Sequence, residues 1–175
     1  MRSFLRDAIL KGKATIAPPE PGTPELDEVA RALGERARRR LGRSLSIREI
    51  DAGSCNGCEL EIHAINNPVY DIERFGLKFV ASPRHADVLL VTGPVTWNMR
   101  EALQRTYDAT PAPKWVVALG DCAANCGVFA DSPAVVGPLA EILPVDLHIR
   151  GCPPPPLEIL RGILGAVRRL PRRSP

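Results

Sequence analysis

The chain has 175 residues, 45% of them hydrophobic and 25% charged, which suits one domain with one sizeable core. Its net charge of +3 is unevenly placed, with basic ends and an acidic middle, and its few aromatic residues are not interleaved with arginines to stack on bases. No apolar segment approaches the length of about 20 residues that a membrane-spanning helix needs, and residues 1–15 carry too many charges for a secretory signal. We therefore expect a cytoplasmic protein that binds no nucleic acid.

Residues 1–44 are predicted to form an N-terminal extension made of a linker and an amphipathic helix. Residues 1–13 suit either a short amphipathic anchor or a frayed end, and the prolines of residues 17–22 exclude a helix there. Thr23 and Pro24 then suit the N-cap and first position of a helix whose apolar residues recur at helical spacing. We expect this helix to lie outside the main fold, with its basic end facing solvent, an acidic partner or anionic lipid.

Beyond residue 44, short apolar runs alternate with helical stretches, which is typical of an α/β fold. Strands are predicted at residues 45–50, 77–81, 88–92, 115–119 and 145–149. Helices are predicted at residues 59–66, 97–107, 134–142 and 157–170. This pattern predicts an open parallel sheet with helices on both faces, formed by residues 45–170 and followed by a basic tail at residues 171–175.

Four of the five cysteines follow predicted strands directly. Cys55 and Cys58 come after the first strand, Cys122 after the fourth and Cys152 after the fifth. Because the carboxyl ends of parallel strands meet at one edge of a sheet, we expect these side chains to lie close together. A cytosolic chain of this size needs no disulfides, so metal binding or redox chemistry is favoured.

Four converging thiolates suit either a zinc ion or an iron–sulfur cluster. Structural zinc sites commonly pair two C-x2-C motifs, whereas Cys122 and Cys152 stand alone on separate loops, which favours the wider cubane cluster. Pro153 rigidifies the last loop, and the glycines at positions 53, 57, 120 and 151 suit tight turns and approach of backbone N–H groups to sulfides.

Other readings of these residues remain open. Cys55 and Cys58 alone would suit a thioredoxin-like dithiol, and a zinc-stabilised adaptor would use all four cysteines. Cys126 is interpreted as a spare buried thiol, since four ligands are already supplied. The three histidines lack metal-ligand spacing and are interpreted as structural or surface residues, namely His63, His85 and His148.

Five ordered motifs resemble a known family. They are residues 51–59 (DAGSCNGCE), 82–87 (SPRHAD), 91–96 (VTGPVT), 120–122 (GDC) and 151–154 (GCPP). Over about residues 45–165 the chain resembles the family that unites the small subunit of [NiFe] hydrogenases with the B subunit of NADH:quinone oxidoreductase (complex I). Within that family, it is similar to the small subunits of membrane-bound, energy-converting hydrogenases, including that of formate hydrogenlyase.

The resemblance implies a flavodoxin-like fold and one proximal [4Fe–4S] cluster at the interface with a large subunit. The implied cluster ligands are Cys55, Cys58, Cys122 and Cys152. Glu59 matches an acidic position near the cluster, where it would either couple protons to electrons or serve as a satisfied interfacial carboxylate. The implied function is electron transfer from a ferredoxin-like iron–sulfur subunit to the active centre of the large subunit.

Two departures from the family pattern indicate which branch of the family the chain resembles. Complex I B subunits carry adjacent cysteines at the first site, whereas Asn56 and Gly57 separate them here as in hydrogenases. Periplasmic hydrogenase small subunits add a twin-arginine signal and a second domain with further clusters. This sequence shows neither, and no cysteine that could bind a further cluster follows Cys152. We therefore expect a group 4 hydrogenase-like subunit held by membrane-arm subunits on the inner face of the cell membrane. The alternative is a complex I-like subunit that serves a quinone site.

Overall fold

The structure is a computed structural model that describes residues 24–168. The predictions for residues 1–23, including the Thr23 cap, and for the basic tail at residues 171–175 lie outside the described residues. Within residues 24–168, no helix combines the length and apolar character that crossing a membrane demands.

A five-stranded parallel sheet forms the centre of the molecule. Its strands are β1 (Leu45–Asp51), β2 (Leu77–Phe79), β3 (Val88–Thr92), β5 (Trp115–Leu119) and β7 (Leu147–Ile149). The spatial order is β2-β1-β3-β5-β7, and all four neighbouring pairs are parallel. Counted without the short strands outside this sheet, that order is the flavodoxin-like 2-1-3-4-5 arrangement. The predicted fold class is confirmed.

Five α-helices connect or flank these strands in the described part of the chain. They are α1 (Pro24–Leu41), α2 (Gly57–Ile65), α3 (Trp97–Ala109), α4 (Asp121–Asn125) and α5 (Pro156–Arg168). Short 3-10 turns are formed by Ile72–Phe75, Pro83–His85, Gly127–Phe129 and Leu139–Glu141.

Helices cover both faces of the sheet, and each covered face has its own buried cluster. On one face, Ile47, Leu90 and Val117 pack with residues of α1, α2 and α5. On the other face, Leu89 and Val116 pack with residues of α3 and α4. Strands β3 and β5 are therefore buried on both sides, which explains their continuous apolar sequence.

The helix α1 is part of the main core, and our expectation that it lies outside the fold is wrong. Ala30, Leu33 and Ala37 are fully buried in the same cluster as Ile159 and Ile163 of α5. Its apolar face was visible in the sequence, but the surface that covers it depends on tertiary packing. The division of the chain into residues 1–44, 45–170 and 171–175 stays a prediction.

The helix predicted at residues 134–142 is also wrong. The segment forms β6 (Val135–Gly137), which pairs antiparallel with β4 (Val95–Thr96), and then a single 3-10 turn, Leu139–Glu141. Pro138 separates the two pieces, because it lacks a backbone N–H and disfavours a helical conformation in the residue before it.

Candidate functional site

The four cysteines of interest lie together at the carboxyl edge of the sheet. Cys55 and Cys58 follow β1, with Cys58 in the first turn of α2, while Cys122 lies in α4 after β5 and Cys152 follows β7. Cys58 Sγ lies 3.9 Å from the carbonyl oxygen of Leu119, at the end of β5. The first cysteine loop therefore reaches across to the strand that precedes Cys122.

A hydrogen-bonded loop carries Cys55 and Cys58. The Asp51 carboxylate accepts the N–H groups of Gly53 and Ser54 at 2.8 and 2.7 Å. The Ser54 hydroxyl donates to the Glu59 carboxylate at 2.6 Å and accepts the Asn56 N–H at 3.0 Å. These bonds hold the loop from both of its ends, since Asp51 ends β1 and Glu59 lies in α2.

A second set of hydrogen bonds joins the loops of Cys122 and Cys152. The Asp121 N–H donates to the Gly151 carbonyl at 2.9 Å, and the Gly151 N–H donates to the Asp121 carboxylate at 3.1 Å. At the other end of the cysteine edge, a Cβ on Gly57 would lie 3.5 Å from Cys55 Sγ and 3.8 Å from the Pro153 ring. The last cysteine loop thus touches both of the others.

Glycines leave the space that the thiols occupy. A Cβ on Gly120 would lie 2.7 Å from Cys58 Sγ, and a Cβ on Gly127 would lie 2.8 Å from Cys122 Sγ. Both distances are too short for a side chain, and both glycines have positive φ angles of 86° and 50°. The edge is therefore shaped as a recess around sulfur atoms.

Three of the glycines expected to let backbone N–H groups approach sulfides bond their own N–H groups inside the protein. The Gly53 N–H bonds the Asp51 carboxylate, the Gly120 N–H bonds the Ile149 carbonyl and the Gly151 N–H bonds the Asp121 carboxylate. Because these donors already have partners inside the protein, the glycines act by giving space.

Neighbouring thiols contribute to raised pKa values at Cys58 and Cys122. Burial, then Glu59, then the other three cysteines raise the pKa of Cys58 to about 12. Burial, then Cys152 and Cys55, raise the pKa of Cys122, against a hydrogen bond from the Val128 backbone. Four thiolates therefore repel one another here, and a bound metal cation is the ordinary way in which proteins offset such repulsion.

The cysteine edge is open to solvent and carries apolar side chains. Cys55 and Cys152 are exposed, whereas Cys58 and Cys122 are half-buried. The large apolar side chains that stay exposed among the described residues are Leu60, Trp97 and Val128, at 60%, 58% and 86%. The Val128 backbone hydrogen-bonds the Cys122 thiol, so at least Val128 lies beside the cysteines.

The model of the family described as "NADH ubiquinone oxidoreductase, 20 Kd subunit" matches residues 55–166. The chain belongs to this family. The match begins at Cys55 and includes all four cysteines at the sheet edge. The family inferred from the sequence motifs is thereby confirmed.

Relatives within the 20 Kd subunit family come from hydrogenases and related complexes. The chain is 50% identical to the Pyrococcus furiosus "Probable membrane-bound hydrogenase subunit mbhJ" over 74% of its own length and 78% of that protein. It is 41% identical to "Formate hydrogenlyase subunit 7" of Escherichia coli over 85% of its length, but spans 58% of that protein. These relatives are subunits of oxidoreductase complexes, as predicted.

A solved structure of an archaeal respiratory membrane complex contains a similar chain. That complex is the membrane-bound sulfane sulfur reductase, and the similarity has a TM-score of 0.65 at 34% identity. It covers 79% of this chain and 75% of the other. The 20 Kd subunit fold therefore occurs in a complex whose name refers to sulfur instead of hydrogen or quinone.

The donor set and the space at the sheet edge fit a cluster better than a single metal ion. Across residues 24–168, no three His, Cys, Asp or Glu side chains converge as ligands of one ion. A cubane cluster makes a different demand, because each of its four thiolates binds a separate iron atom. Four thiols on three loops around glycine-lined space meet that demand.

Glu59 lies beside the cysteines with one oxygen lacking a partner. The residue is 7% exposed, and its Oε1 is buried without a hydrogen bond among the described residues. Across from it on β1 lies Glu49, whose pKa is raised first by burial and then by Glu59. Glu49 was not singled out in the sequence, since nothing in its strand marks which neighbour it faces.

The predicted ligands include neither the remaining cysteine nor the histidines. Cys126 lies next to the site, since its N–H donates to the Cys122 carbonyl at 2.8 Å. Cys126 is 5% exposed, and burial followed by Glu141 raises the pKa of its thiol. Other edge cysteines are among the causes that raise the pKa values of Cys58 and Cys122, but none is among the causes of the Cys126 shift. The three histidines, His63, His85 and His148, are all exposed. The choice of ligands stays a prediction.

Proposed function

We propose that this chain is the electron-transferring small subunit of a group 4 [NiFe]-hydrogenase-like complex and holds one [4Fe–4S] cluster. Its ligands would be Cys55, Cys58, Cys122 and Cys152. The observation that carries the proposal is the convergence of these four thiols at one sheet edge, within a chain similar to a membrane-bound hydrogenase subunit. When bound, such a cluster supplies a centre that accepts and releases one electron at a time.

The protein itself would control this centre through the surroundings of its ligands. Half-burial of Cys58 and Cys122 lowers the local dielectric, and the buried carboxylate of Glu59 adds negative charge beside Cys58. Both effects favour the state of lower negative charge, which is the oxidised one.

A large subunit is the proposed cover of the cysteine edge. Two of the proposed ligands are exposed, and Val128, whose backbone bonds the Cys122 thiol, presents an apolar side chain that is 86% exposed. An iron–sulfur centre left open to water and oxygen is short-lived, and a protein face that supplies apolar contacts would exclude both. Electrons would arrive from a ferredoxin-like subunit, and membrane-arm subunits would hold the assembly on the inner face of the cell membrane.

A complex I-like role at a quinone site differs from the proposed hydrogenase-like role only in the large subunit that the chain would bind. The same cluster and the same cover would serve a large subunit that lacks nickel ligands. The separation of Cys55 from Cys58 by Asn56 and Gly57, together with the hydrogenase relatives, favours the hydrogenase-like assembly. Nickel content of the purified complex distinguishes the two, because nickel belongs to the hydrogenase alternative alone.

A thiol oxidoreductase that uses Cys55 and Cys58 would be colourless, and its activity would survive loss of Cys122 and Cys152. Burial, then Glu59, raise the pKa of Cys58 to about 12, so Cys58 would be a poor nucleophile and the attacking thiolate of such an enzyme would be Cys55. A zinc-stabilised adaptor uses the same four thiols and is distinguished by its metal content.

The test is anaerobic purification followed by measurement of iron, sulfide, zinc and the EPR spectrum after dithionite reduction. About four irons and four sulfides per chain with a reducible cubane signal are expected. Cys122→Ser should lose that signal, whereas Cys126→Ser should keep it. One zinc and no iron would replace the electron-transfer proposal with the adaptor.

A further inference from the structure

Three aspartates extend the pairing of parallel strands, each through the same two hydrogen bonds to a single residue of a neighbouring segment. Asp87 donates its N–H to the Ser46 carbonyl at 2.8 Å, and its carboxylate accepts the Ser46 N–H at 3.0 Å. Asp146 does the same with Val116 at 2.9 and 2.8 Å. The third case is Asp121 with Gly151, at 2.9 and 3.1 Å. In each case a carboxylate oxygen occupies the place of a ladder carbonyl.

The three pairs differ in where they lie on the sheet. Asp87 precedes β3 and Asp146 precedes β7, so both pairs close the amino edge and join strands only. Asp121 follows β5, and its partner Gly151 follows β7, at the carboxyl edge. The residue after Asp121 is Cys122, and the residue after Gly151 is Cys152. The third pair therefore connects the two loops that carry single cysteines.

The Gly151 side of this pair leaves no room for a substitute. Gly151 has a φ angle of 138°, and a Cβ there would lie 2.6 Å from the Pro154 Cα. Its N–H has the Asp121 carboxylate as acceptor, while its carbonyl accepts the Asp121 N–H. Two bonds thus join the Cys122 and Cys152 loops, and of these only the bond to the carboxylate depends on the side chain of residue 121.

We propose that Asp121 is a positioning residue for the metal centre, which holds Cys122 and Cys152 at the separation that the bound group requires. This inference rests on the proposed cluster. Asp121 would not contact the cluster; it would act through the two loops that it joins. Loss of a group that orients metal ligands commonly lowers metal affinity about 10-fold to 100-fold.

The chain supplies its own matched control. Asp121→Ala and Asp146→Ala each remove one carboxylate acceptor from the same pair of strands, β5 and β7, at opposite ends. Both substitutions should lower the melting temperature by similar amounts. Only Asp121→Ala should loosen the cysteine loops. Asp121→Asn keeps an oxygen acceptor for the Gly151 N–H without the charge, and it is the conservative rescue.

The experiment uses the full chain, purified anaerobically with its partner subunits, and measures the rate of iron loss to a chelator together with the EPR line shape. Asp121→Ala should lose iron at least about tenfold faster than wild type, with a broadened EPR signal. Asp121→Asn and Asp146→Ala should lose iron within about threefold of the wild-type rate. If Asp121→Ala does not fold, Asp121→Glu replaces it, because its longer side chain displaces the acceptor and should also speed iron loss.

Two results would overturn the inference. Iron loss from Asp121→Ala at the wild-type rate would show that the pair does not position the ligands. Equal acceleration in Asp146→Ala would show that general sheet stability governs iron retention. Wild-type protein without iron would overturn the proposed cluster and this inference together, whereas wild-type protein with a cubane signal and an unaffected Asp121→Ala would overturn this inference alone.

Discussion

Gly34 of α1 lies directly against the carbonyl oxygen of Phe75. A Cβ at Gly34 would stand 1.8 Å from that oxygen, a distance that no side chain tolerates. The helix can therefore approach the turn before β2 only because it lacks a side chain there. This close approach helps to seat α1 on the core, next to the buried Leu33 and Ala37.

Gly34→Ala should destabilise the protein even though alanine favours helices. Overpacking of this kind costs about 1–3 kcal/mol, so the melting temperature should fall by several degrees. Gly165→Ala in α5 is the control, because its Cβ would meet nothing within 4 Å and should add about 0.5–1 kcal/mol. Thermal unfolding of both variants checks this, and equal melting temperatures would contradict the close approach.

The pair of Arg43 and Asp87 should be worth far more than an exposed ion pair. The Asp87 side chain is 3% exposed and accepts two guanidinium hydrogen bonds at 2.8 and 2.6 Å. Arg43→Ala should cost about 1.5–3 kcal/mol in denaturant unfolding, because it removes charged partners from a buried carboxylate. Arg105→Ala breaks an exposed pair with Glu101 and should cost no more than about 0.5 kcal/mol.

Glu49 should make stability depend on pH in the acidic range. Burial and then Glu59 raise its pKa above the ordinary 4.5, so the folded state holds the proton more tightly than the unfolded state. Its contribution is fully favourable below the unfolded pKa and is lost as pH rises through the folded pKa. Glu49→Gln should therefore be more stable than wild type at pH 7 and show a flatter profile from pH 4.5 upward.

Urea unfolding at several pH values measures this effect. Glu28→Gln, on the exposed surface of α1, is the control and should leave the profile unchanged. A Glu49→Gln protein that is less stable than wild type at pH 7 would show that the Glu49 carboxylate is stabilised in its ionised form.

Cys126→Ser should separate stability from metal content. The residue is 5% exposed, so the substitution would bury a hydroxyl group. A buried hydroxyl without a hydrogen-bond partner lowers the free energy of unfolding by about 1–3 kcal/mol. Iron and sulfide per chain should equal the wild-type values. Loss of iron from a folded Cys126→Ser protein would make Cys126 a ligand in place of one of the four cysteines.

Val128→Asp should weaken docking of the large subunit without affecting the fold. Val128 is 86% exposed next to the Cys122 loop, and a charge there would be desolvated by an apolar partner surface. Co-purification with the large subunit should fall severalfold, while the melting temperature of the chain stays unchanged. Lys78→Asp, at an exposed position of the edge strand β2, is the control and should co-purify normally. Undiminished co-purification of Val128→Asp would show that the large subunit does not bind at Val128.

The fold could be predicted where one local rule decides the outcome. Strands such as Trp115–Leu119 are continuous apolar runs, and the cysteines follow β1, β5 and β7, so parallel topology brings the thiols to one edge. The location of α1 could not be predicted, because an amphipathic pattern shows which face of a helix is apolar but not which part of the protein packs against that face. Asp121 stood within a recognised motif, but its partner Gly151 lies 30 residues away on another loop, whose approach depends on the packing of the sheet.

The openness of the cysteine edge imposes an order on assembly. Cys55 and Cys152 are exposed, so in the proposed assembly delivery of iron and docking of the large subunit would use the same approach. A large subunit that docked first would block that approach. The proposal therefore implies an order of maturation, in which the cluster is inserted before the large subunit binds.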